Sequence, residues 1–271
     1  MANYTAADVK RLREETDAPM MECKAALDEA DGDFARAKEI LREKGKAAAA
    51  KRVGRSTAAG VVAFSVNADA SVLGGVVVEC ETDFVARNDD FVAIAQEIAD
   101  IVRDSGEGDP KIKELVEGAV AKIRENIKVT KAVRLTGDGT YLSYVHHDKT
   151  KGAAVAYTGT SNDESVRKVA IQAVAFPPEV LSKDQLSQEK IDAEIATETK
   201  RAMEEGKPQN IAENIAKGRV NKEFIKQVVL LEQPYFAELT KSVSQYLSES
   251  AKGSTVTKFV YLAVGQSTDG E

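Results

Sequence analysis

Residues 61–66, VVAFSV, and 76–80, VVVEC, are two β-branched runs separated by a turn-rich stretch that ends in Gly74-Gly75. Runs of this composition, bounded by turn residues, predict the two strands of a hairpin. Directly after them Phe91, Ile94, Ala95, Ile98 and Ile101 recur at helical spacing, and a second helix is expected over about Lys111–Asn126. Strand-like Val129, Val133 and Leu135 follow and stop at Gly137-Asp138-Gly139.

The next segment repeats that plan. Tyr141–Val145 and Ala153–Tyr157 read as strands, and Val166, Val169, Ala170 and Val174 as the helix after them, stopped by Pro177-Pro178. Aligning Gly75 with Gly152 sets Val78 opposite Val155 and Ile94-Ala95 opposite Val169-Ala170. The first copy is longer by two residues between strand and helix, where it reads Glu81-Thr82-Asp83-Phe84-Val85-Ala86-Arg87. Two related α+β halves are therefore expected, with an extended loop only in the first. Residues 187–218 are charged, helical in period and broken at Gly206-Lys207-Pro208, which predicts a helical hairpin inserted in the second half. Ile191, Ile195 and Thr199 line its first helix; Ile211, Ile215 and Gly218 belong to its second. A helix near Val243–Leu247, a last strand over Val256–Val264 and a short polar tail complete the chain.

Upstream, residues 1–45 read as three short helices. Thr5 with Asp8 makes a capping-box-like start, Pro19 suits the first turn of the second helix, and Gly45 is a C-terminal stop for the third. Val9 and Leu12 face inward, then Met20, Cys23, Leu27 and Ala30, then Phe34, Ala37, Ile40 and Leu41. Met20 and Met21 are adjacent and cannot both face one core, so one is expected at the surface, where a Met suits a partner contact. Residues 46–59 carry Lys46, Lys51, Arg52 and Arg55 without an acid and read as a solvated, part-helical linker, with an RNA-binding arm as the alternative. The expected organisation is 1–45 three-helix domain, 46–59 linker, 60–139 first half and 140–271 second half with its insertion at about 187–218.

Composition narrows the function. A net charge of −7 argues against broad capture of nucleic acid or an anionic membrane. Two cysteines, Cys23 and Cys80, cannot form a disulfide framework and fit a reducing, cytoplasmic setting. No signal-peptide core or 18-residue apolar run occurs. With no Trp and two His, neither a His-rich metal enzyme nor an aromatic stacking platform is expected. Phosphate-loop, dinucleotide, zinc-protease, nucleophile-elbow and C-x-x-C signatures are absent, so no cofactor and no covalent catalysis are expected. His146-His147 is a poor chelate, because neighbouring side chains on a strand point to opposite faces.

The informative stretch is Thr82-Asp83-Phe84-Val85-Ala86-Arg87. On one reading Phe84 plugs the base of the hairpin and Asp83 caps the turn. On the other, Phe84 is a protruding wedge whose burial in a partner is worth about 1.5–3 kcal/mol, enough for a hot spot.

Val9-Lys10-x-Leu12-Arg13-x-x-Thr16-x-Ala18-x-Met20-Met21-x-Cys23-Lys24-x-Ala26-Leu27, then Asp31-Gly32-Asp33, resembles the N-terminal domain of the bacterial elongation factor Ts family. Thr82-Asp83-Phe84-Val85-Ala86 looks like that family's signature loop, and the hairpin with Gly206-Lys207-Pro208 and Gly218-Arg219 matches in order. The resemblance implies an α+β fold with an N-terminal three-helix (UBA-like) domain, then two core halves with antiparallel sheets and a helical hairpin. It implies a guanine nucleotide exchange factor that binds elongation factor Tu, both GDP-bound and nucleotide-free. On that resemblance Lys10, Arg13, Met20 and Met21 contact the partner's GTP-binding domain. Thr82, Asp83, Phe84 and Val85 reach its magnesium and phosphate site, with Phe84 inserted, and the second half grips another domain. The hairpin mediates association between factors in some members, which leaves self-association here open. Three departures stand out: Asp17-Ala18-Pro19 replaces a glycine-rich turn, the glycine usual after His146 is missing, and no further helical module follows the last strand. A non-exchange helical or RNA-binding adaptor, built on the N-terminal helices and the basic linker, is the alternative function.

Overall fold

Capping and burial patterns set the elements of the computed structural model, which describes residues 3–266 other than Asp17, Val53 and Ser161. The Asp17 turn and the tail beyond Gln266 lie outside the described residues, as does the side chain of Lys46. Helix α1 (Ala6–Thr16) starts at a reciprocal cap: the Thr5 N–H donates to the Asp8 carboxylate at 2.7 Å and the Asp8 N–H to Thr5 Oγ1 at 3.3 Å. The Thr5 hydroxyl, donating to the Asp8 carboxylate at 2.7 Å, and then the Thr5 N–H hold that carboxyl below the usual carboxylate range. Helices α2 (Met20–Glu29) and α3 (Phe34–Ala50) complete a small cluster whose centre is Leu12, Cys23, Ala26, Leu27 and Ala37.

Two expectations fail in this cluster. Met20 is 51% exposed and Met21 73%, so both point away from the core, and the inward stripe of α2 is Cys23, Ala26 and Leu27. The short helix needs only that narrow stripe, and Pro19, Met20 and Met21 form its exposed first turn. Gly45 does not end α3, which runs on to Ala50. A Cβ at Gly45 would lie 3.1 Å from Ala121 Cβ, so this glycine gives room for α3 against α6 (Pro110–Ile123).

The chain then forms β1 (Ala59–Val66), β2 (Val72–Cys80), the single turn α4 (Asp83–Ala86), α5 (Asp89–Ser105), α6 and β3 (Lys128–Thr136). The sheet order is β1-β2-β3. The Asn67 N–H donates to the Val72 carbonyl at 3.1 Å while Gly60 abuts Val78 and Glu79, the opposed register of a hairpin. Its inner face (Val61, Val76, Val78) packs on Phe91, Ala95, Ile98 and Val102 of α5 and on Ile112 and Ala119 of α6. Helix α6 ends at Ile123, short of the expected Asn126, because Arg124 turns left-handed at φ 68°.

The second sheet has the order β4 (Thr140–Val145), β5 (Lys151–Gly159), β8 (Ser254–Ala263). Strands β4 and β5 are antiparallel with Leu142 opposite Val155, and α7 (Asp163–Ala175) follows β5 as α5 follows β2. Among the described residues only the first copy carries a helical turn, α4, between strand and helix. The mixed α and antiparallel β class is as expected. Helices α8 (Gln188–Glu204) and α9 (Gln209–Arg219) form the hairpin. Its buried positions are Ala202, Ala212 and Ala216, with Ile211 exposed, and Arg219 joins Glu198 at 3.2 Å and Glu205 at 2.7 Å. After α10 (Ile225–Val228) come β6 (Pro234–Tyr235), β7 (Glu238–Ser242) and α11 (Val243–Ser250). By contacts the chain divides into one unit of residues up to Ser65, Gly74–Arg134 and from Ala263 onward, and another of Val66–Leu73 and Leu135–Leu262.

Inside the second unit the buried Gln172 and Gln233 bond at 2.9 Å. Gln172 also donates to the Pro234 carbonyl at 3.2 Å and accepts from the Phe236 N–H at 2.8 Å, and Gln233 donates to the Phe176 and Gln227 carbonyls at 3.0 and 2.8 Å. Gln172→Leu removes one partner from each of three buried or half-buried groups. A urea melt is expected to show a loss of about 2–4 kcal/mol, since a stranded buried polar group costs about 1–3 kcal/mol; a loss below about 0.5 kcal/mol contradicts this reading.

Candidate functional site

The residues between β2 and α5 are positioned by hydrogen bonds that leave the first-turn residues outward. Thr82 is extended and caps α4, its Oγ1 accepting from the Val85 N–H at 3.4 Å and its carbonyl from the Ala86 N–H at 3.2 Å. Val85 and Ala86 turn inward onto the β1/β2/α5 core. Phe84 therefore lies on the opposite side of the single turn, and it is 83% exposed. The ring does not plug the hairpin; Val85 does the inward packing. Nor does Asp83 cap the turn, since Thr82 holds that place and the Asp83 carboxylate pairs with Arg87 at 3.1 Å on the surface.

The anchor of this turn comes from far along the chain. The Glu125 carboxylate accepts the Glu81 and Thr82 N–H groups at 3.0 Å each on Oε2 and the Thr82 hydroxyl at 2.6 Å on Oε1. Next to it the Asn126 N–H donates to Glu81 Oε1 at 2.7 Å and the buried Asn126 amide to the Arg55 carbonyl at 2.7 Å. Arg55 itself reaches Glu81 at 3.5 Å, so this end of the basic linker is engaged with the chain's own carboxylate. Beneath the turn the Cys80 thiol donates to the Thr82 carbonyl at 3.2 Å. Burial, and then the charge of Glu125, push that thiol up to about 12. Sequence reading singles out Thr82, Asp83, Phe84 and Val85 as candidates and passes over Glu125, because no local spacing connects residues this far apart.

On the N-terminal helices Lys10 and Arg13 are exposed on α1, Lys10 pairing with Glu14 at 3.7 Å. Met20 and Met21 open α2, and Glu22 beside them is ion-paired with Arg124. Arg124 and Glu125 are consecutive, so the turn that ends α6 touches both the α2 start and the Thr82 loop. A cavity of about 640 Å³ lies between these helices and α6, lined by Pro19, Leu41 and Ala121 among others. Three of the cations at its rim are already paired, Lys38 with Glu15, Lys44 with Glu29 and Arg124 with Glu22. In the second unit His146 and His147 stack edge to face at 4.3 Å, and His146 Nδ1 lies 3.2 Å from the Tyr144 hydroxyl. Among the described residues no group of His, Cys, Asp and Glu could hold a metal ion, and no helix is long and apolar enough to cross a membrane.

The site presents an exposed aromatic on a turn whose backbone is hydrogen-bonded on both sides. A family model described as "Elongation factor TS" matches residues 81–266. The chain is 41% identical to "Elongation factor Ts" of Thiobacillus denitrificans over 278 residues, covering 98% of this chain and 93% of the relative. It is 41% identical to that of Bordetella petrii with the same coverage, and 40% identical to that of Salinispora tropica, which is covered in full.

The buried thiols give a direct check of the turn. With Cys80 near 12, its thiolate fraction at pH 8 is on the order of 10⁻⁴. Burial raises Cys23 as well. Neither is expected to react with Ellman's reagent in the folded chain at pH 8, and both are expected to react in urea. Rapid modification of one thiol before unfolding would mean that the turn over Cys80, or the cluster around Cys23, is open.

Proposed function

The chain belongs to the elongation factor Ts family of translation elongation factors, and from that premise we propose that it binds elongation factor Tu and promotes release of GDP, so that GTP can replace it. The observation that carries the reading is Phe84, 83% exposed at the start of a turn whose backbone is held on both sides. A bare phenyl ring in water is unfavourable relative to one in an apolar pocket, and its transfer is worth about 1.5–3 kcal/mol. A ring fixed in advance loses little freedom on docking, so more of that energy goes into the contact.

A factor that accelerates nucleotide release need not touch the nucleotide. It must bind the empty partner more tightly than the loaded one, and the two ligands then weaken each other by the same factor. Magnesium and a cradle of backbone amides hold the phosphates of a bound nucleotide. In this proposal Phe84 wedges beside that cradle, Thr82 and Val85 hold the turn, and Asp83 adds local polar disruption. Each tenfold of weakening needs about 1.4 kcal/mol of differential binding, so one ring cannot supply a large acceleration. Lys10, Arg13, Met20 and Met21 on the N-terminal helices, together with the second half, are assigned the anchoring. The exposure of both methionines supports this, since an unbranched thioether adapts to an irregular surface. No covalent chemistry is required of any residue. An RNA-binding role for the basic linker gains no support, because Arg55 is paired with Glu81 and residues 47–50 continue α3.

Stopped-flow release of a fluorescent GDP from the cognate Tu tests the proposal. Wild-type chain is expected to accelerate release, and Phe84→Ala to reduce the maximal acceleration by about tenfold or more, the kinetic equivalent of 1.4 kcal/mol or above. Its unfolding free energy is expected to stay within about 0.5 kcal/mol of wild type, as for other surface positions. Release that wild type leaves unchanged would reject the exchange reading.

A further inference from the structure

We propose that Glu125 is the positioning residue of the exchange loop: it sets where Phe84 stands without meeting the partner itself. The proposal rests on the exchange reading above and adds to it a residue outside the loop motif. Three donors of two consecutive residues converge on one half-buried carboxylate, the Glu81 N–H, the Thr82 N–H and the Thr82 hydroxyl. Hydrogen bonds to an ionised acceptor are the strong ones, and both oxygens are used. Thr82 is in turn the cap of the one-turn helix that carries Phe84 at its second position. Fixing Thr82 therefore fixes the origin of that turn.

The rest of the network shows that the carboxylate is itself held. Glu125 follows the left-handed Arg124, whose N–H still donates to the Val120 carbonyl of α6 at 3.0 Å. Asn126 on its other side is 3% exposed and bonded to both Arg55 and Glu81. A side chain flanked in this way has a defined direction. Phe84, by contrast, is largely in solvent, so its position depends on its backbone. Without Glu125, Val85 still packs inward and the fold of the unit persists, but the Glu81 and Thr82 N–H groups and the Thr82 hydroxyl lose their shared acceptor, and the Cys80 thiol on the Thr82 carbonyl remains. The expected consequence is a docked factor that no longer strains the loaded partner.

The test uses the full chain and Tu loaded with fluorescent GDP, with Glu125→Ala and Glu125→Gln beside wild type. Stopped-flow titration separates the plateau release rate from the half-saturating factor concentration. Glu125→Ala is expected to lower the plateau about tenfold or more, from the worth of hydrogen bonds to a charged acceptor. The half-saturating concentration is expected to stay within about threefold, because the docking surfaces are intact. Glu125→Gln keeps one carbonyl acceptor and is expected to fall between the two. Amide exchange at Glu81 and Thr82 in the free chain is expected to quicken in both variants. A merely structural role would lower the melting temperature and raise the half-saturating concentration instead. If wild type accelerates release and Glu125→Ala leaves its plateau unchanged, the positioning role is overturned. If wild type does not accelerate release, the exchange reading itself fails. Should Glu125→Ala not fold, the Glu125→Gln plateau decides: lowered supports the role, unchanged overturns it.

Discussion

One carboxylate, Glu125, receives the start of the exposed turn and so joins the end of β2 to the end of α6. Almost everything distinctive about this surface follows from that junction. The helix that delivers Glu125 packs on α5 beneath the sheet and on α3 of the N-terminal cluster. The strand that delivers Thr82 is buried along nearly its whole length. A mobile phenyl ring would collapse onto the nearest apolar surface; here the inward place is taken by Val85, and Phe84 is left in solvent.

On the exchange reading proposed above, anchoring draws on more of the chain than the wedge does. A wedge supplies direction and a few kcal/mol, whereas affinity for an empty partner has to come from area. Met20 and Met21 on the first unit, and Phe176 and Leu239 on the second, are exposed apolar side chains. Surface ion pairs such as Lys10 with Glu14 contribute little to the fold itself, so Lys10 is available at small expense for charge complementarity.

The sequence makes the repeated strand–strand–helix plan legible because β-branched runs and helical spacing are local signals, and β1, β2 and α5 follow the expected stretches closely. The loop at Thr82–Arg87 is legible for the same reason: the first copy is longer than the second at that point, and α4 occupies the excess. What escapes is set by tertiary contact. Gly45 reads as a helix stop, yet its function is to clear Ala121 of a different helix, and no local pattern encodes that. Met20 fits a helical stripe, but a three-helix cluster this small covers only Cys23, Ala26 and Leu27. Glu125 looks like any charged residue beyond a helix end, since its meaning lies in backbone N–H groups more than forty residues away.

The account stands most directly on where discrimination between empty and loaded partner resides. Calorimetric titration of nucleotide-free and GDP-bound Tu with wild-type and Phe84→Ala chains measures it as a ratio of affinities. The account predicts a strong preference of wild type for the empty partner that falls about tenfold or more in the variant. An equal preference in the two chains would contradict it, and would move the source of exchange away from the exposed ring.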